Sequence, residues 1–236
     1  MQEFIKKHKE NLEGKTPLEI IQTVSSEFPK DSVFSSSLGL EDQVISDIIL
    51  TNNLPVEIFT LDTGRHFAQT YQVHERVNDK YKTRIKTYYP DTSEIEKFVN
   101  TNGPDAFYLS PELRKQCCHI RKVQPLERAL KGKKVWFTGI RREQSEDRAS
   151  TPVIEFDQDH DLIKVHPLVH WKIDEVWDHV KKNNVPYNAL HNKGFISIGC
   201  APCTRAIAEG EDSRTGRWWW ESGDLKECGL HVPHKA

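Results

Sequence analysis

The 236-residue sequence predicts an α/β protein with a mostly parallel sheet covered by helices on both faces. Two observations favour this class. Short runs rich in β-branched and aromatic residues alternate along the chain with longer segments of helical period, as in sheets built from strand–helix–strand units. Several strand candidates also run directly into small or polar residues, as strands do where they end beside the start of a helix. We expect a single domain over residues 1–236.

Six segments are short, apolar and bounded by turn-forming residues, which is the pattern of β-strands. They are 33–37 (VFSSS), 55–62 (PVEIFTLD), 83–89 (TRIKTYY), 133–140 (KKVWFTGI), 151–157 (TPVIEFD) and 161–167 (DLIKVHP). The last two are joined through a polar DQDH stretch, which predicts a hairpin. The earlier strands mostly precede helix candidates and are therefore expected to pair in parallel.

The helix candidates carry apolar residues at intervals of three and four. Pro17 stands near the start of the first helix candidate. Proline is tolerated there because a backbone N–H in the first turn has no partner within the helix. They are 17–28, 40–50, 63–81, 92–101, a segment containing the cysteine pair 117–118, and 172–184. From about Gly194 the pattern weakens into a loop-rich tail, and we expect residues from about 210 to 236 to be mobile.

Charge and composition argue against two classes of function, nucleic-acid binding and membrane attachment. The chain has 33 basic and 35 acidic residues, so its net charge of −2 provides no field that would attract nucleic acid. The N-terminal stretch lacks the apolar core of a signal peptide, and no apolar run approaches the ~20 residues of a membrane span. We therefore expect a cytoplasmic protein with no membrane partner, whose five cysteines are reduced thiols.

The stretch SSSLGLEDQ at 35–43 ends one strand and opens one helix. Small residues at such a junction let the backbone approach an anion, and free N–H groups with the hydroxyls of Ser35, Ser36 and Ser37 can hold phosphate or sulfate beside Gly39. The alternative is a serine-rich helix cap without a ligand. The stretch is neither a P-loop nor a G-x-G-x-x-G motif.

Two further polar junctions follow strands, LDTGRHF at 61–67 and TGIRREQS at 138–145. All three are expected at the carboxyl ends of parallel strands, where open α/β sheets bind their ligands. Arg141, Arg142 and Arg148 would suit an anionic ligand there, although at least one of them is expected to be an ordinary surface arginine.

Four of the five cysteines fall into two tight pairs, Cys117–Cys118 in CCHIRK and Cys200–Cys203 in GCAPC. Adjacent cysteines make a strained disulfide and fit a single zinc ion poorly. An iron–sulfur cluster is larger, so it can accept adjacent thiolates at different irons and take its other two ligands from the C-x-x-C pair. Buried structural cysteines and a redox C-x-x-C dithiol are the alternatives.

The fifth cysteine, Cys228, has His231 three residues later, and a nearby cation favours the nucleophilic thiolate. Arg214 and Arg217 precede it and would clamp an anionic substrate as the tail closes. Lys122 follows the adjacent pair and is a candidate cation between cluster and substrate. A tail cysteine and surface cations without a role are the alternatives.

CCHIRKVQPL, GCAPCTRAI and KECGLH together resemble the assimilatory adenylyl-sulfate (APS) reductases, the cluster-bearing branch of the APS/PAPS reductase family. FSSSLGLEDQ, LDTGRHF and TGIRREQS resemble the same family, so the match runs from about Ser35 to the end of the chain. Relatives specific for 3'-phospho-APS (PAPS) generally lack the four paired cysteines and keep the ECGLH tail. The RREQSEDR loop is one residue shorter than the form typical of the family.

The resemblance implies an adenine-nucleotide α-hydrolase-like fold with a modified pyrophosphatase loop at 35–39. It also implies one 4Fe–4S cluster per chain, with the nucleophile at Cys228, which carries an S-sulfocysteine until thioredoxin or glutaredoxin releases sulfite. The cluster ligands are Cys117, Cys118, Cys200 and Cys203. The substrate contacts implied are Lys122, Arg148, Arg214, Arg217 and His231, and the nucleotide pocket is lined by Ser36, Ser37, Leu61 and Gly139.

The chain ends shortly after ECGLHVP, so we expect no fused thioredoxin-like domain and a separate reductant protein. The family also implies a homo-oligomer. Three rival functions stay open: a PAPS or dual-specificity reductase, an ATP pyrophosphatase that thiolates tRNA, and a redox sensor or zinc-stabilised binding module. The first loop lacks the S-G-G-x-D-S pattern of ATP pyrophosphatases, which speaks against the second.

Overall fold

The computed structural model describes residues 1–208, 210–211 and 215–221. Arg214, Cys228, His231 and most of the predicted mobile tail lie outside these residues. Eight α-helices occur in the described chain: α1 (Gln2–Leu12), α2 (Pro17–Glu27), α3 (Leu40–Thr51), α4 (Ala68–Tyr81), α5 (Thr92–Asn102), α6 (Pro111–Cys118), α7 (Gln124–Leu130) and α8 (Ile173–Lys182). None of the helices in this part of the chain is long and apolar enough to cross a membrane.

Six strands form one sheet, in the spatial order β3-β2-β1-β4-β6-β5. They are β1 (Ser32–Ser35), β2 (Glu57–Leu61), β3 (Lys86–Tyr88), β4 (Val135–Phe137), β5 (Ile154–Asp157) and β6 (Leu162–Val165). β1 pairs in parallel with β2 and β4, and β4 pairs in parallel with β6. β5 and β6 form the predicted antiparallel hairpin. The predicted α/β class with a mostly parallel sheet is confirmed.

The register follows the apolar residues of the central strands. Phe34 of β1 lies opposite Ile58 of β2 on one side and Phe137 of β4 on the other. Phe137 in turn lies opposite Val165 of β6. Every residue of β4 and of β6 is buried, which indicates that both faces of the sheet are covered there. The carboxyl ends of β1, β2 and β4 lead into the three polar junctions expected from the sequence.

The chain divides into two compact units. The first contains Met1–Thr60, Gln72–Lys86 and Leu130–Asn188, and holds a large apolar core that includes Val44, Ile45 and Phe137. The second contains Leu61–Tyr71, Thr87–Ala129 and the described residues from Ala189 onward. Its smaller core includes Phe98, Phe107, Trp218 and three of the paired cysteines. The prediction of a single reductase domain over the whole chain stays a prediction.

Helix α4 begins at Ala68, five residues later than the sequence pattern predicted, because side chains fold residues 62–65 into a turn. Asp62 Oδ1 accepts a hydrogen bond from Gly64 N at 2.8 Å, and Thr63 Oγ1 accepts one from Arg65 N at 3.2 Å. Side chains of this kind compete with the helix for backbone N–H groups. Gly64 has φ +70, a backbone conformation that glycine adopts without strain.

The sequence pattern also missed helix α1, whose composition is polar. Phe4 and Ile5 pack partly against the core of the first unit, and Leu12 is buried in it. One narrow apolar stripe is enough to hold a helix on a protein surface.

Candidate functional site

Four cysteines line one cavity in the second unit. Cys117 and Cys118 end helix α6, while Cys200 precedes and Cys203 ends a single 3₁₀ turn at Ala201–Cys203. All four are buried, and none forms a disulfide. The structure thus brings together the two pairs that the sequence singled out, and we call this site the cysteine cavity.

The adjacent pair is followed at once by a change of helix type. Ser110 caps α6 by accepting a hydrogen bond from Leu113 N at 3.2 Å, and five residues of π-helix, His119–Val123, then join α6 to α7. Short π-helical turns inside α-helices are frequent at functional sites. Here the π turn carries Arg121 and Lys122, both of which line the cysteine cavity.

The junction LDTGRHF contributes to this cavity. Thr63 Oγ1 lies 3.3 Å from Cys200 Sγ, and the Arg65 carbonyl accepts a hydrogen bond from Ala201 N at 2.7 Å. The Arg65 guanidinium pairs with Asp105 at 3.0 Å. Arg121 donates to the Thr63 carbonyl at 2.6 Å. The backbone and side chains of this segment thus hold the C-x-x-C pair in place, and the anion-binding role expected of it stays a prediction.

Arg217 and Trp218, in the segment GRW at 216–218, also line the cavity. Gly199 leaves room for the Arg217 side chain, since a Cβ atom on Gly199 would lie 2.4 Å from Arg217 Nη2. Arg217 was predicted to clamp substrate, and the structure places it at the cavity lining beside Trp218. Its Cζ atom lies 4.6 Å from the centroid of the Trp218 ring.

The cavity concentrates positive charge around the thiols. Burial raises the pKa of Cys117, although the Arg121 cation opposes this. Burial also raises the pKa of Cys203 to about 12, with the Cys200 thiol acting in the same direction and nearby cations against it. Among the described residues, five basic ones line the cavity: Arg65, Arg114, Arg121, Lys122 and Arg217.

Three buried N–H groups of the cavity residues have no acceptor among the residues that the structure describes: Arg121 Nε, Arg217 Nε and Trp218 Nε1. Buried donors are normally satisfied, so a missing acceptor is a sign of an unseen partner. Within the described residues, no group of three His, Cys, Asp or Glu side chains is arranged to hold a single metal ion. Four thiols, basic side chains and unused N–H donors together fit an anionic, sulfur-rich cluster.

The serine loop, residues 35–39, belongs to the first unit and uses its own donors internally. Ser37 donates both its N–H and its hydroxyl to Asp42, at 2.6 and 2.5 Å. Leu38 N donates to Ser36 Oγ at 3.2 Å, and Gly39 N donates to Ser37 Oγ at 3.3 Å. The N–H groups at 37–39, which were expected to be free, are therefore engaged by the loop serines and by Asp42 of helix α3. Anion binding by this loop stays a prediction.

Asp42 was missed by the sequence analysis. Burial raises the pKa of its carboxyl to about 6, against the opposing effect of the Ser37 hydrogen bonds, and Glu41 adds to the rise. The position of the same carboxyl explains why residue 139 is a glycine, because a Cβ atom at that position would lie 2.1 Å from Asp42 Oδ1. An acidic residue in the first turn of the helix after the loop was the available signal, since such residues commonly bond free N–H groups.

The predicted arginines of the first unit are occupied by protein contacts. Arg141 is buried and pairs with Glu41 at 3.0 Å and with Glu143 at 2.8 Å. Arg142 donates to the Thr151 carbonyl, and Arg148 donates to Gln144 Oε1. Contact of Arg141 or Arg148 with substrate stays a prediction.

Two other predicted substrate contacts, Ser35 and Leu61, lie at strand ends, and their contact with substrate stays a prediction. Ser35, the last residue of β1, accepts a hydrogen bond on its hydroxyl from Trp136 Nε1 at 2.7 Å. Leu61 is the last residue of β2, and its carbonyl lies 2.9 Å from His66 Nε2.

Comparison with known proteins places the chain in a family. A model of the phosphoadenosine phosphosulfate reductase domain matches residues 31–206. A protein of Allochromatium vinosum named adenosine 5'-phosphosulfate reductase is 51% identical over 199 residues, which cover 84% of this chain and 78% of that protein. A protein of the same name from Rhizobium meliloti is 48% identical over 205 residues, covering 87% of this chain and 77% of that protein.

Solved structures agree with this placement. The phosphoadenylyl-sulfate (PAPS) reductase of Candida auris, in a phosphate complex, superimposes with a TM-score of 0.74 at 30% identity, covering 88% of this chain and 98% of that one. An FMN adenylyltransferase of Candida glabrata shares the fold alone, with a TM-score of 0.55 at 16% identity over 94% of this chain and 77% of that one. The chain thus belongs to the phosphoadenosine phosphosulfate reductase domain family.

Proposed function

We propose that this protein reduces adenosine 5'-phosphosulfate (APS) to sulfite and AMP in assimilatory sulfate reduction. Relatives at 51% and 48% identity bear the name adenosine 5'-phosphosulfate reductase, whereas the PAPS reductase of Candida auris is 30% identical. The observation that carries the proposal is the convergence of CCHIRK and GCAPC on one cavity lined by cations. The enzyme is proposed to be cytoplasmic and to act as a homo-oligomer.

The cysteine cavity is proposed to hold one 4Fe–4S cluster on Cys117, Cys118, Cys200 and Cys203. The donor set supports this assignment, because four thiols, basic side chains and unused N–H donors surround a single space. When bound, the cluster supplies a fixed anionic body that tunes the electrostatic field around Lys122. We assign it no electron-transfer step.

The proposed chemistry takes place at Cys228, outside the described residues. Its thiolate attacks the sulfur of APS, an S–S bond forms, and AMP leaves with the electron pair of the broken S–O bond. One thiolate of thioredoxin or glutaredoxin then attacks Cys228 Sγ, and sulfite leaves with the S–S electron pair. The second thiol of the partner resolves the mixed disulfide, so the partner dithiol supplies both electrons.

Cations are proposed to stabilise the negative charge that develops on the leaving AMP. Lys122 and Arg217 line the cysteine cavity, while Arg214 and His231 are assigned from the sequence motif. The serine loop and Gly139 are proposed to line the nucleotide pocket. A Lys122→Ala variant is expected to keep its iron and to lose turnover, whereas full turnover with the cluster in place would exclude a role for Lys122.

The first test is the content of iron and acid-labile sulfide in protein purified without oxygen, with zinc measured in parallel. About four iron and four sulfide per chain without zinc is the expected result. One zinc per chain without labile sulfide would instead support the zinc-stabilised module. The matched variant is Cys228→Ser, which is expected to keep the cluster absorbance and to form no covalent adduct with ³⁵S-labelled APS. A labelled adduct in that variant would overturn the assignment of the nucleophile.

Substrate choice is tested by comparing kcat/KM for APS and PAPS with thioredoxin as the reductant. We expect a clear preference for APS. A higher kcat/KM for PAPS would show that PAPS is the preferred substrate, and it would leave the proposed chemistry at Cys228 unchanged. Release of pyrophosphate from ATP would instead identify an ATP pyrophosphatase.

A further inference from the structure

Three polar side chains of the first unit are linked in a row by hydrogen bonds. Thr138 follows strand β4, and its Oγ1 atom lies 2.6 Å from Nδ1 of His166, the residue that follows β6. His166 Nε2 in turn lies 3.1 Å from Oε1 of Glu155, on β5. We call these three residues the histidine bridge. The proposed function assigns no role to any of them.

The backbone holds the histidine bridge at one edge of the sheet. Thr138 N donates to the Val165 carbonyl at 3.0 Å, and His166 N donates to the Val153 carbonyl at 2.8 Å. Because β4 and β6 are adjacent parallel strands, Thr138 and His166 leave the sheet side by side at its carboxyl edge. This is the edge at which open α/β sheets bind their ligands.

Burial determines what the histidine bridge can do. Hydroxyl, imidazole and carboxylate in this order are also the parts of a nucleophilic triad. However, Thr138 is 1% exposed and His166 is 0% exposed, so the hydroxyl is closed to a substrate. The side chain of Glu155 is 39% exposed. The bridge thus connects a solvated carboxylate to a buried hydroxyl, which suits a positioning role.

The charge of each group determines which atoms donate. The hydrogen bond with His166 lowers the pKa of Glu155, so its carboxylate is ionised and only accepts. Burial lowers the pKa of His166, and Glu155 opposes this effect. The cations of Lys164 and Arg148 act in the same direction as burial. A neutral imidazole that donates from Nε2 must accept at Nδ1, so Thr138 donates its hydroxyl proton to His166 and its hydroxyl is fixed.

The residue after Thr138 is Gly139, which is packed closely against its neighbours. A Cβ atom at position 139 would lie 2.1 Å from Asp42 Oδ1, and the Gly139 carbonyl accepts a hydrogen bond from Gln144 Nε2 at 3.4 Å. Closely packed interiors transmit small displacements. A change in the position of Thr138 is therefore passed on to Gly139.

We propose that His166 and Glu155 are positioning residues for the nucleotide pocket and act through the hydroxyl of Thr138. The inference rests on the proposed function, in which Gly139 lines that pocket. When Thr138 is no longer held, the binding of a nucleotide must order it again, and this cost lowers the affinity. The contribution of one neutral hydrogen bond corresponds to about a fivefold change in an equilibrium constant.

The first test measures the affinity of holoenzyme purified without oxygen for AMP, by equilibrium dialysis. Thr138→Val removes the hydroxyl and keeps the branched shape, and we expect it to weaken AMP binding about fivefold. Thr138→Ser keeps the hydroxyl and should restore most of the affinity. The matched control is Glu13→Gln, because Glu13 pairs with His170 at 2.7 Å through side chains that are 41% and 39% exposed. This control should bind AMP like the wild type.

A spectroscopic readout separates positioning from packing. Nitrogen-15 NMR of protein labelled at histidine shows which ring nitrogen carries the proton, and the His166 signals are identified by their loss in His166→Asn. We expect His166 to be protonated at Nε2 alone and its Nδ1 signal to shift when AMP saturates the protein, while the His170 signals stay in place. In Glu155→Gln, part of the protein should carry the proton at Nδ1, because an amide can donate to Nε2 as well as accept from it, and AMP affinity should fall.

Each remaining outcome decides the proposal. Thr138→Val protein that binds AMP as tightly as the wild type would overturn it. His166 signals that do not respond to AMP would also overturn it, because the effect of Thr138→Val would then reflect packing alone. If Thr138→Val does not fold, Glu155→Gln decides, with wild-type AMP affinity against the proposal and weaker affinity for it. Wild-type protein that binds no AMP would refute the proposed nucleotide pocket itself, and this inference with it.

Discussion

The cysteine cavity and the serine loop handle charge in opposite ways. Within the described part of the chain, the cavity gathers five basic residues around four buried thiols and leaves three N–H donors without an acceptor. In the serine loop, the N–H and hydroxyl of Ser37 both donate to the buried carboxyl of Asp42. The N–H groups of Leu38 and Gly39 donate to serine hydroxyls of the loop, so these donors are also occupied. A site with unused donors is prepared for an anionic partner, whereas a site with internally paired donors is held in shape by them.

A glycine next to a charged group marks each of these regions. Gly139 lies against the Asp42 carboxyl, and Gly199 lies against the Arg217 guanidinium. The two neighbours differ in freedom of movement, because Asp42 is fixed by two hydrogen bonds from Ser37, whereas the Arg217 head is the end of a long side chain. Adding a methyl group to each glycine should therefore have unequal effects.

The largest effect is expected from Gly139→Ala. The new Cβ would lie 2.1 Å from Asp42 Oδ1, so the carboxyl must move and lose its hydrogen bonds from Ser37. We expect a loss of about 3 kcal/mol in the free energy of unfolding, measured by urea denaturation. In an Asp42→Ala background the same change should cost less than about 1 kcal/mol. Equal costs in both backgrounds would show that Asp42 is not what requires glycine at 139.

Much of the fold could be predicted from the sequence, because the spacing of apolar residues and the position of turn residues determine where helices and strands begin and end. The strands and most helices were predicted close to their observed bounds. Helix α1 was missed because its apolar stripe is narrow, and the start of α4 was displaced by hydrogen bonds that Asp62 and Thr63 make to the backbone. Hydrogen bonds of this kind have no periodic signature.

The part of the candidate site that could be predicted from the sequence is the part formed by rare residues at close spacing. The paired cysteines were identified because thiols are few, and the structure gathers them at one cavity. Thr63 and Arg114 were missed, because polar residues of these types are common and their place in the cavity arises from tertiary contacts. Thr63 and Cys200 are 137 residues apart in the sequence, so no local pattern connects them.

The next effect in size concerns the pH dependence of the serine loop. The pKa of Asp42 is raised from 3.8 to about 6, so folding favours its protonated form. The stability this contributes is fully present below pH 3.8 and is lost as the pH rises through 6. Relative to Asp42→Asn, the wild type should lose about 2 kcal/mol of unfolding free energy between about pH 4.5 and pH 7.

The control for this measurement is Asp91→Asn. Asp91 caps helix α5, and hydrogen bonds from Ser93 and Glu94 lower its pKa, so its titration falls below this pH range. The difference between Asp91→Asn and the wild type should therefore not change between about pH 4.5 and pH 7. A flat difference for Asp42→Asn as well would show that the Asp42 carboxyl is not perturbed by burial.

The smallest effect on stability is expected from Gly199→Ala, because the Arg217 head can move away from the new Cβ. We expect a cost of about 1 kcal/mol, yet also a faster loss of cluster absorbance in air, since the displaced guanidinium no longer lines the cysteine cavity. Combining Gly199→Ala with Arg217→Lys removes the planar head that meets the methyl group and should recover most of the stability while the cluster stays sensitive to air. A Gly199→Ala protein as unstable as Gly139→Ala would mean that Arg217 is held as rigidly as Asp42, and the cavity would then resemble the serine loop in being shaped by its own internal contacts.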